Sequence, residues 1–254
     1  MSITPRRIAA IIGLVVGLAL PGAVRAETVH VAVAANFTAV AEQLALLFAA
    51  ETDHHLVYSF GATGQLYAQI SQGAPYAVLL AADAARPSRA IAEGFGVAGT
   101  QFTYAVGALA LYSRSMDVGD GAALLRSGGF NKLAMADPQS APYGLAAQQA
   151  LDRLGLAAAL APKLVIGQNI TQTLQFVESG NAEAGFVGLN QVAGKTGIWI
   201  VPKGLYEPIA QDAVLLNPGR DSAAARAFLA FLRSETAHRV IEAAGYDFSS
   251  GPPQ

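Results

Sequence analysis

The feature that most constrains this chain is a regular alternation of short apolar runs with segments whose apolar residues repeat at helical spacing. The runs are rich in Val, Leu, Tyr and Phe, which are typical of strands, and the run at 77–82 is apolar on both faces. A strand of that kind lies inside a parallel sheet covered by helices. Because parallel strands need a crossover to reach each other, the alternation predicts an α/β fold.

The same alternation continues along the chain and gives the order of the elements. Strands are predicted at 29–34, 56–60, 77–82, 103–112, 132–136, 164–166, 184–187, 198–201 and 213–216, and helices at 37–50, 65–71, 86–93, 143–154, 171–179, 222–232 and 236–243. Strongly twisted open sheets rarely exceed about ten strands, so two sheets are favoured over one. The long β-type runs near 103–112 and 206–216 are the natural connections between them. We therefore predict two α/β lobes, with residues 27–104 and 206–254 in lobe 1 and 105–205 in lobe 2.

The first 26 residues have the pattern of a secretory signal peptide. Arg6 and Arg7 precede an apolar run at 8–20, and the small residues that end at Ala26 offer a cleavage site. The alternative is a membrane anchor, but this run is shorter than the roughly 20 residues that a transmembrane helix needs. We expect cleavage after Ala26 and a periplasmic, monomeric product. The chain has no Cys and a formal net charge of −2, so nothing indicates a disulfide scaffold, a thiolate metal site or a nucleic-acid partner.

Neutral polar residues mark the points where predicted strands pass into helices. Ligands of open α/β sheets bind at the carboxyl ends of strands, where helix N-termini present free N–H groups. Four of these junctions, at 34–38, 61–65, 141–144 and 169–171, carry hydroxyls or amides and no Lys, Arg or His. Each alone favours an ordinary helix cap or turn, and Asn36 and Thr63 are common N-cap types. The combination across two lobes predicts a site where neutral dipoles hold an anion.

The candidate catalytic and metal-binding motifs in this sequence do not have the residue spacing that their chemistry requires. The segment that ends in Lys195-Thr196 resembles the end of a phosphate-binding loop, but its glycine spacing does not match. No His pair has the spacing of a zinc helix, and His54 and His55 are expected in a solvated turn. An exported hydrolase would need a nucleophile, a base and an orienting group in one cleft, and the sequence offers no such set. We expect no enzyme activity, no cofactor and no direct metal ligand.

Ordered motifs over nearly the whole chain after Ala26 carry a family resemblance. They are Val33-Ala34-Ala35-Asn36-Phe37, Ser59-Phe60-Gly61-Ala62-Thr63-Gly64, Tyr67-Ala68-Gln69-Ile70, Gly73-Ala74-Pro75-Tyr76-Ala77-Val78, Ala81-Ala82-Asp83, Ala136-Asp137-Pro138, Ala141-Pro142-Tyr143-Gly144, Gly185-Phe186-Val187 and Ala244-Gly245-Tyr246. In these motifs the sequence resembles the periplasmic molybdate-binding protein family, the solute receptors of molybdate ABC transporters.

The resemblance implies a type II periplasmic-binding-protein fold, in which two lobes joined by a hinge close on a dehydrated tetrahedral oxyanion. It assigns ligand contacts to Ala35, Asn36, Thr63, Tyr143 and Ile170. Some relatives carry a Tyr where Gly188 stands here, so we expect Tyr143 to supply the phenolic hydrogen bond.

The function implied is a receptor that binds molybdate, and tungstate, and delivers it to an ABC-transporter permease. A fully ionised oxyanion only accepts hydrogen bonds, so a site built of donors suits it. Alternatives are a receptor for another oxyanion, such as sulfate or phosphate, and an exported hydrolase. The effector lobes of a transcription regulator are a further alternative, but the signal peptide and the missing DNA-binding helices argue against it.

Overall fold

The structure is a computed structural model that describes residues 26–248. Apart from Ala26, the expected signal peptide lies outside the described residues. Within 26–248, no helix combines the length and the apolar character needed to cross a membrane.

Two five-stranded sheets form the framework. The strands, in chain order, are β1 (Thr28–Ala34), β2 (His55–Gly61), β3 (Val78–Leu80), β4 (Phe102–Gly107), β5 (Leu109–Tyr112), β6 (Leu133–Ala136), β7 (Leu164–Gly167), β8 (Ala184–Gly188), β9 (Ile198–Ile200) and β10 (Ile209–Leu215). The first sheet has the order β2-β1-β3-β10-β4, and the second has the order β7-β6-β8-β5-β9. In the first sheet β2, β1 and β3 are parallel, and in the second β7, β6 and β8 are parallel, whereas β10 in the first and β5 in the second run antiparallel to their neighbours.

Helices cover these sheets and divide between them. They are α1 (Thr38–Thr52), α2 (Thr63–Ser71), α3 (Ala85–Ala92), α4 (Gly121–Ser127), α5 (Pro142–Arg153), α6 (Ala157–Leu160), α7 (Ile170–Glu178), α8 (Ala223–Phe231) and α9 (Glu235–Ala243). We call the first sheet with α1 to α3, α8 and α9 lobe 1, and the second sheet with α4 to α7 lobe 2. The last two helices return to lobe 1, where Phe228 and Ile241 share a buried core with Val31 and Phe48.

The chain passes between the lobes at two places. The run 103–112, expected as one strand, is two strands in different sheets, since β4 ends at Gly107 and β5 begins at Leu109. The run is continuously apolar, so hydropathy gives no sign of the change of sheet. The first predicted lobe boundary, at 104/105, falls inside β4. The second, at 205/206, where the chain was expected to return to lobe 1, falls in the connection between β9 and β10. The assignment of whole segments to lobes stays a prediction.

Two further expectations about local structure differ from what is observed. The short helices α4 and α6 are absent from the predicted elements, because each is too short to show a helical period. His54 was expected in solvent, but it is only 5% exposed, and its Nδ1 accepts a hydrogen bond from the Glu27 N–H at 3.2 Å. It packs beside the Phe48 ring, and the adjacent His55 is the exposed member of the pair.

Candidate ligand-binding site

A small cavity lies between the lobes and brings the five expected ligand-binding residues together. About 200 Å³ of atom-free space lies there, part of it open to solvent. Its lining residues are Ala34, Ala35, Asn36, Gly61, Ala62, Thr63, Ala82, Ala141, Pro142, Tyr143, Asn169 and Ile170. The cavity therefore lies at the carboxyl ends of β1 and β2 and at the starts of α2, α5 and α7.

Lobe 1 contributes two element starts that lack side-chain caps. β1 passes into a 3-10 turn at Ala35–Phe37, and α2 follows β2. In the described chain, no side-chain cap occurs at either N-cap residue, Ala34 or Ala62. The alternative in which Asn36 and Thr63 are ordinary N-cap residues is wrong, because Asn36 lies inside the turn and Thr63 is the first residue of α2. Buried helix starts without caps leave N–H groups for another partner.

The Thr63 hydroxyl is fully buried and already oriented. Its Oγ1 accepts a hydrogen bond from the Ala82 N–H at 3.0 Å. A hydroxyl has one hydrogen and two acceptor positions, so its hydrogen remains to be donated. This geometry makes Thr63 a donor at the cavity wall.

Lobe 2 contributes the starts of α5 and α7. Pro142 opens α5 and has no N–H, so the N–H groups of the next two residues, Tyr143 and Gly144, are the first that the helix presents. No side-chain cap is present at the start of α5 among the described residues. The start of α7 differs, because the Asn169 side chain accepts from the Gln172 N–H at 3.0 Å. This cap leaves the N–H of Ile170, the first residue of α7, without an intrahelical partner.

A buried hydrogen-bond network lies at the side of the cavity where the chain crosses between lobes. The Asn36 Nδ2 group donates to Gln211 Oε1 and to the Tyr246 hydroxyl, each at 2.9 Å. The Tyr246 hydroxyl donates to the Asn36 backbone oxygen at 3.0 Å. Both amide hydrogens of Asn36 are thus held within the protein, which leaves its backbone N–H as its donor toward the cavity.

Sequence reasoning missed Gln211 and gave Tyr246 no role. Gln211 and the adjacent Asp212 interrupt the otherwise apolar run 209–216, and that contrast is the signal that could have identified Gln211. Tyr246 belongs to a motif that carried the family resemblance. Burial raises the pKa of the Tyr246, Tyr104 and Tyr143 phenols above the ordinary value, so all three stay protonated at neutral pH.

Hydrogen bonds join the lobes on both sides of the cavity. The Gly64 N–H donates to Ser140 O at 2.8 Å, and Arg86 Nη2 donates to Gln139 O at 2.9 Å. On the other side, the donors are the Thr171 hydroxyl, to Ala35 O at 3.1 Å, and Asn190 Nδ2, to Asn36 O at 2.8 Å. The two walls are therefore held against each other around the cavity.

The electrostatics of the cavity are those of neutral donors. None of the described residues that line it carries a formal charge. Across 26–248, no group of three or more His, Asp or Glu side chains could hold a metal ion. Helix starts concentrate partial positive charge here, so the cavity suits an anion.

Comparisons with known proteins agree with this geometry. The profile of the bacterial extracellular solute-binding protein family matches residues 29–247. The chain is 49% identical over 246 residues to the molybdate-binding protein ModA of Rhodobacter capsulatus, with 96% of each chain covered. It is 48% identical to ModA of Azotobacter vinelandii, covering 93% of this chain and 96% of that one. The solved structure of the Azotobacter vinelandii periplasmic molybdate-binding protein has a TM-score of 0.82 and 37% identity, with 89% of this chain and 100% of that chain covered.

The fold and the cavity between its lobes define a periplasmic solute-binding protein of the type II class, so the predicted fold is confirmed. Within that class, the chain belongs to the ModA family of molybdate-binding proteins. The family that the sequence motifs indicated is thus confirmed. The members of this family are solute-binding receptors and not enzymes.

Proposed function

We propose that this chain is the periplasmic receptor that binds molybdate and delivers it to the membrane permease of an ABC transporter. The observation that carries the proposal is the set of buried element starts, at Ala35, Thr63 and Tyr143, that face one uncharged cavity without side-chain caps. The backbone N–H groups at these starts are buried at a cost in free energy unless a ligand accepts their hydrogen bonds. An oxyanion supplies acceptors to several of them at once.

The same donors explain which anions the cavity favours. Molybdate is fully ionised at neutral pH and only accepts hydrogen bonds, as does sulfate. Hydrogen phosphate carries a proton that needs a buried acceptor, and no carboxylate lines the cavity among the described residues. Sulfate is smaller, so we propose that the closed cavity rejects it by size. Tungstate has the same charge and nearly the same size as molybdate, and we propose that it binds too.

We propose ligand contacts from Ala35, Asn36, Thr63, Tyr143 and Ile170. Gly188 supports the role of Tyr143, because a Cβ at position 188 would lie 3.3 Å from Tyr143 Cε1. The Tyr143 ring thus occupies the space beside Gly188.

We also propose that the mature chain is a monomer that begins at Glu27, after cleavage at Ala26. Glu27 is already anchored in the fold, which supports this boundary. Its N–H donates to His54 Nδ1, and its carboxylate accepts from the Ser222 hydroxyl at 2.7 Å.

Isothermal titration of the mature, ligand-free protein tests the function. We expect tight one-to-one binding of molybdate, competition by tungstate, and no displacement by excess sulfate or phosphate. Tight binding of sulfate or phosphate, with no heat from molybdate, would contradict the proposal and assign the same fold to another solute.

A further inference from the structure

Gln211 is a fully buried amide on β10, close to the cavity but not part of its lining. Burying an amide costs free energy unless its donors and acceptors find partners. The partners of Gln211 therefore indicate what the residue does.

Those partners come from both walls of the cavity. Gln211 Oε1 accepts from Asn36 Nδ2 at 2.9 Å and from the Tyr104 hydroxyl at 3.2 Å. Gln211 Nε2 donates to the Tyr143 hydroxyl at 3.3 Å. Asn36 belongs to lobe 1 and Tyr143 to lobe 2, so one amide group connects a proposed ligand contact on each side of the cleft.

Two backbone features make this arrangement possible. The pairing of β10 with β4 shifts register between Gln211 and Asp212, and such bulges redirect side chains near binding sites. Gly107, at the end of β4, has no side chain where these groups meet. A Cβ there would lie 2.1 Å from the Tyr143 hydroxyl oxygen and 2.9 Å from Gln211 Nε2.

The direction of these hydrogen bonds determines what the phenol can do. Because Gln211 Nε2 donates, the Tyr143 oxygen acts as the acceptor, and its own hydrogen is left for another acceptor. An amide donates at one end and accepts at the other, which matches Tyr143 and Asn36. A carboxylate at position 211 would accept from both and would take up the phenolic hydrogen.

We propose that Gln211 is a positioning residue of the oxyanion site: it holds Asn36 and Tyr143 in register across the cleft and leaves the Tyr143 hydroxyl as a donor to the ligand. This inference rests on the proposed function, and it adds the residue that orients two of the proposed contacts.

A double-mutant cycle tests the connection through Tyr143. In titrations with molybdate, we expect Gln211→Met and Tyr143→Phe each to weaken binding by about tenfold or more, since each removes a buried hydrogen bond. The double variant should bind within about twofold of the weaker single variant, because both changes remove the same interaction. Fully additive effects, or wild-type affinity in Gln211→Met, would overturn the inference.

The matched control is Thr100→Val. The Thr100 hydroxyl accepts from the Leu215 N–H at 3.1 Å, so this change also removes a hydrogen bond to β10, but away from the cavity. We expect a loss of thermal stability with unchanged affinity. A similar loss of affinity in Thr100→Val would show that any damage to β10 weakens binding, and would overturn a specific role for Gln211.

Gln211→Glu gives a readout that a purely structural role would not produce. The titratable groups that face position 211 are the phenols of Tyr104, Tyr143 and Tyr246, which stay protonated, and the carboxylates that act on the Tyr104 phenol are those of Asp212 and Asp83. Burial raises the pKa of an introduced carboxyl group. Its neutral form restores a donor toward Tyr143 at low pH, and its ionised form removes that donor and adds a negative charge at high pH.

We therefore expect the affinity of Gln211→Glu, relative to the wild type at each pH, to be about tenfold or more lower at pH 8 and to recover toward pH 6. A ratio that stays constant with pH would overturn the inference. The wild-type titration separates the two proposals: a wild type that does not bind molybdate refutes the function and this inference with it, whereas a wild type that binds, with a pH-independent ratio, refutes only the role of Gln211.

Discussion

The two halves of the cavity present donors in different ways. In the lobe 1 half, the Thr63 hydroxyl is a side-chain donor that the Ala82 N–H holds in place. The turn that contains Asn36 offers backbone N–H groups instead, because the Asn36 amide already donates to other residues of the protein. In the lobe 2 half, the starts of α5 and α7 offer backbone N–H groups, and the side-chain donor that we propose is the Tyr143 hydroxyl, which the Gln211 amide holds in place from the other lobe.

The kind of donor determines which substitutions each position tolerates. A side-chain donor is lost when its functional group is removed, whereas a backbone donor survives any substitution that leaves the helix start in place. For the backbone donors of α5 and α7, the sensitive positions should therefore be those where added atoms would move the helix. The largest effect should come from such a position, and the smallest from a side chain that only packs.

Gly144→Ala should have the largest effect. A Cβ at Gly144 would lie 2.3 Å from Ala136 O and 2.7 Å from Ala136 C, both backbone atoms of β6 that cannot turn aside. The start of α5 must then move away from β6, which displaces its N–H groups at the cavity. We expect the free energy of unfolding to fall by about 3 kcal/mol, measured by urea denaturation. Molybdate affinity should fall by about a hundredfold, as a misplaced charged hydrogen bond costs up to about 3 kcal/mol.

Gly204→Ala is the control, because a Cβ at Gly204 meets nothing within 4 Å in the described structure. It should change the free energy of unfolding by no more than about 0.5 kcal/mol and leave the affinity unchanged. A folded Gly144→Ala protein with wild-type affinity would show that the α5 backbone does not supply the lobe 2 donors.

The sequence predicted the lobes and the cavity residues better than it predicted what supports them. The apolar runs and the helical periods identify most of the elements, and the neutral junctions identify the residues that meet at the cavity. The prediction of a single strand over 103–112 was wrong in part, because hydropathy does not show a change from one sheet to another. Gln211 was missed, because its partners Asn36 and Tyr143 lie 175 and 68 residues away in the chain. No local pattern contains such a contact.

Thr63→Val should have the next largest effect, as a test of the lobe 1 half. The change keeps the shape of the side chain but removes the hydroxyl, which leaves the Ala82 N–H buried without its partner and deletes a donor to the ligand. We expect the free energy of unfolding to fall by about 1–3 kcal/mol and the affinity for molybdate to fall by about thirtyfold. Calorimetric titration and thermal melting measure the two effects.

Thr63→Ser is the matched control, because it keeps the hydroxyl and removes only a methyl group. It should bind molybdate within about threefold of the wild type, as small apolar truncations cost about 1 kcal/mol. Equal losses in the Val and Ser variants would contradict the role of the hydroxyl and attribute the effect to packing.

Ile170→Val should have the smallest effect on binding, although Ile170 lines the same cavity and is only 3% exposed. In lobe 2, the expected donor is the backbone N–H at the start of α7, which this change leaves in place under the Asn169 cap. We expect the free energy of unfolding to fall by about 1 kcal/mol, from the lost methylene group, with the affinity within about threefold of the wild type. A loss as large as that of Thr63→Val would mean that the Ile170 side chain itself shapes the ligand pocket, and the contrast between the side-chain donor of Thr63 and the backbone donor at the start of α7 would no longer hold.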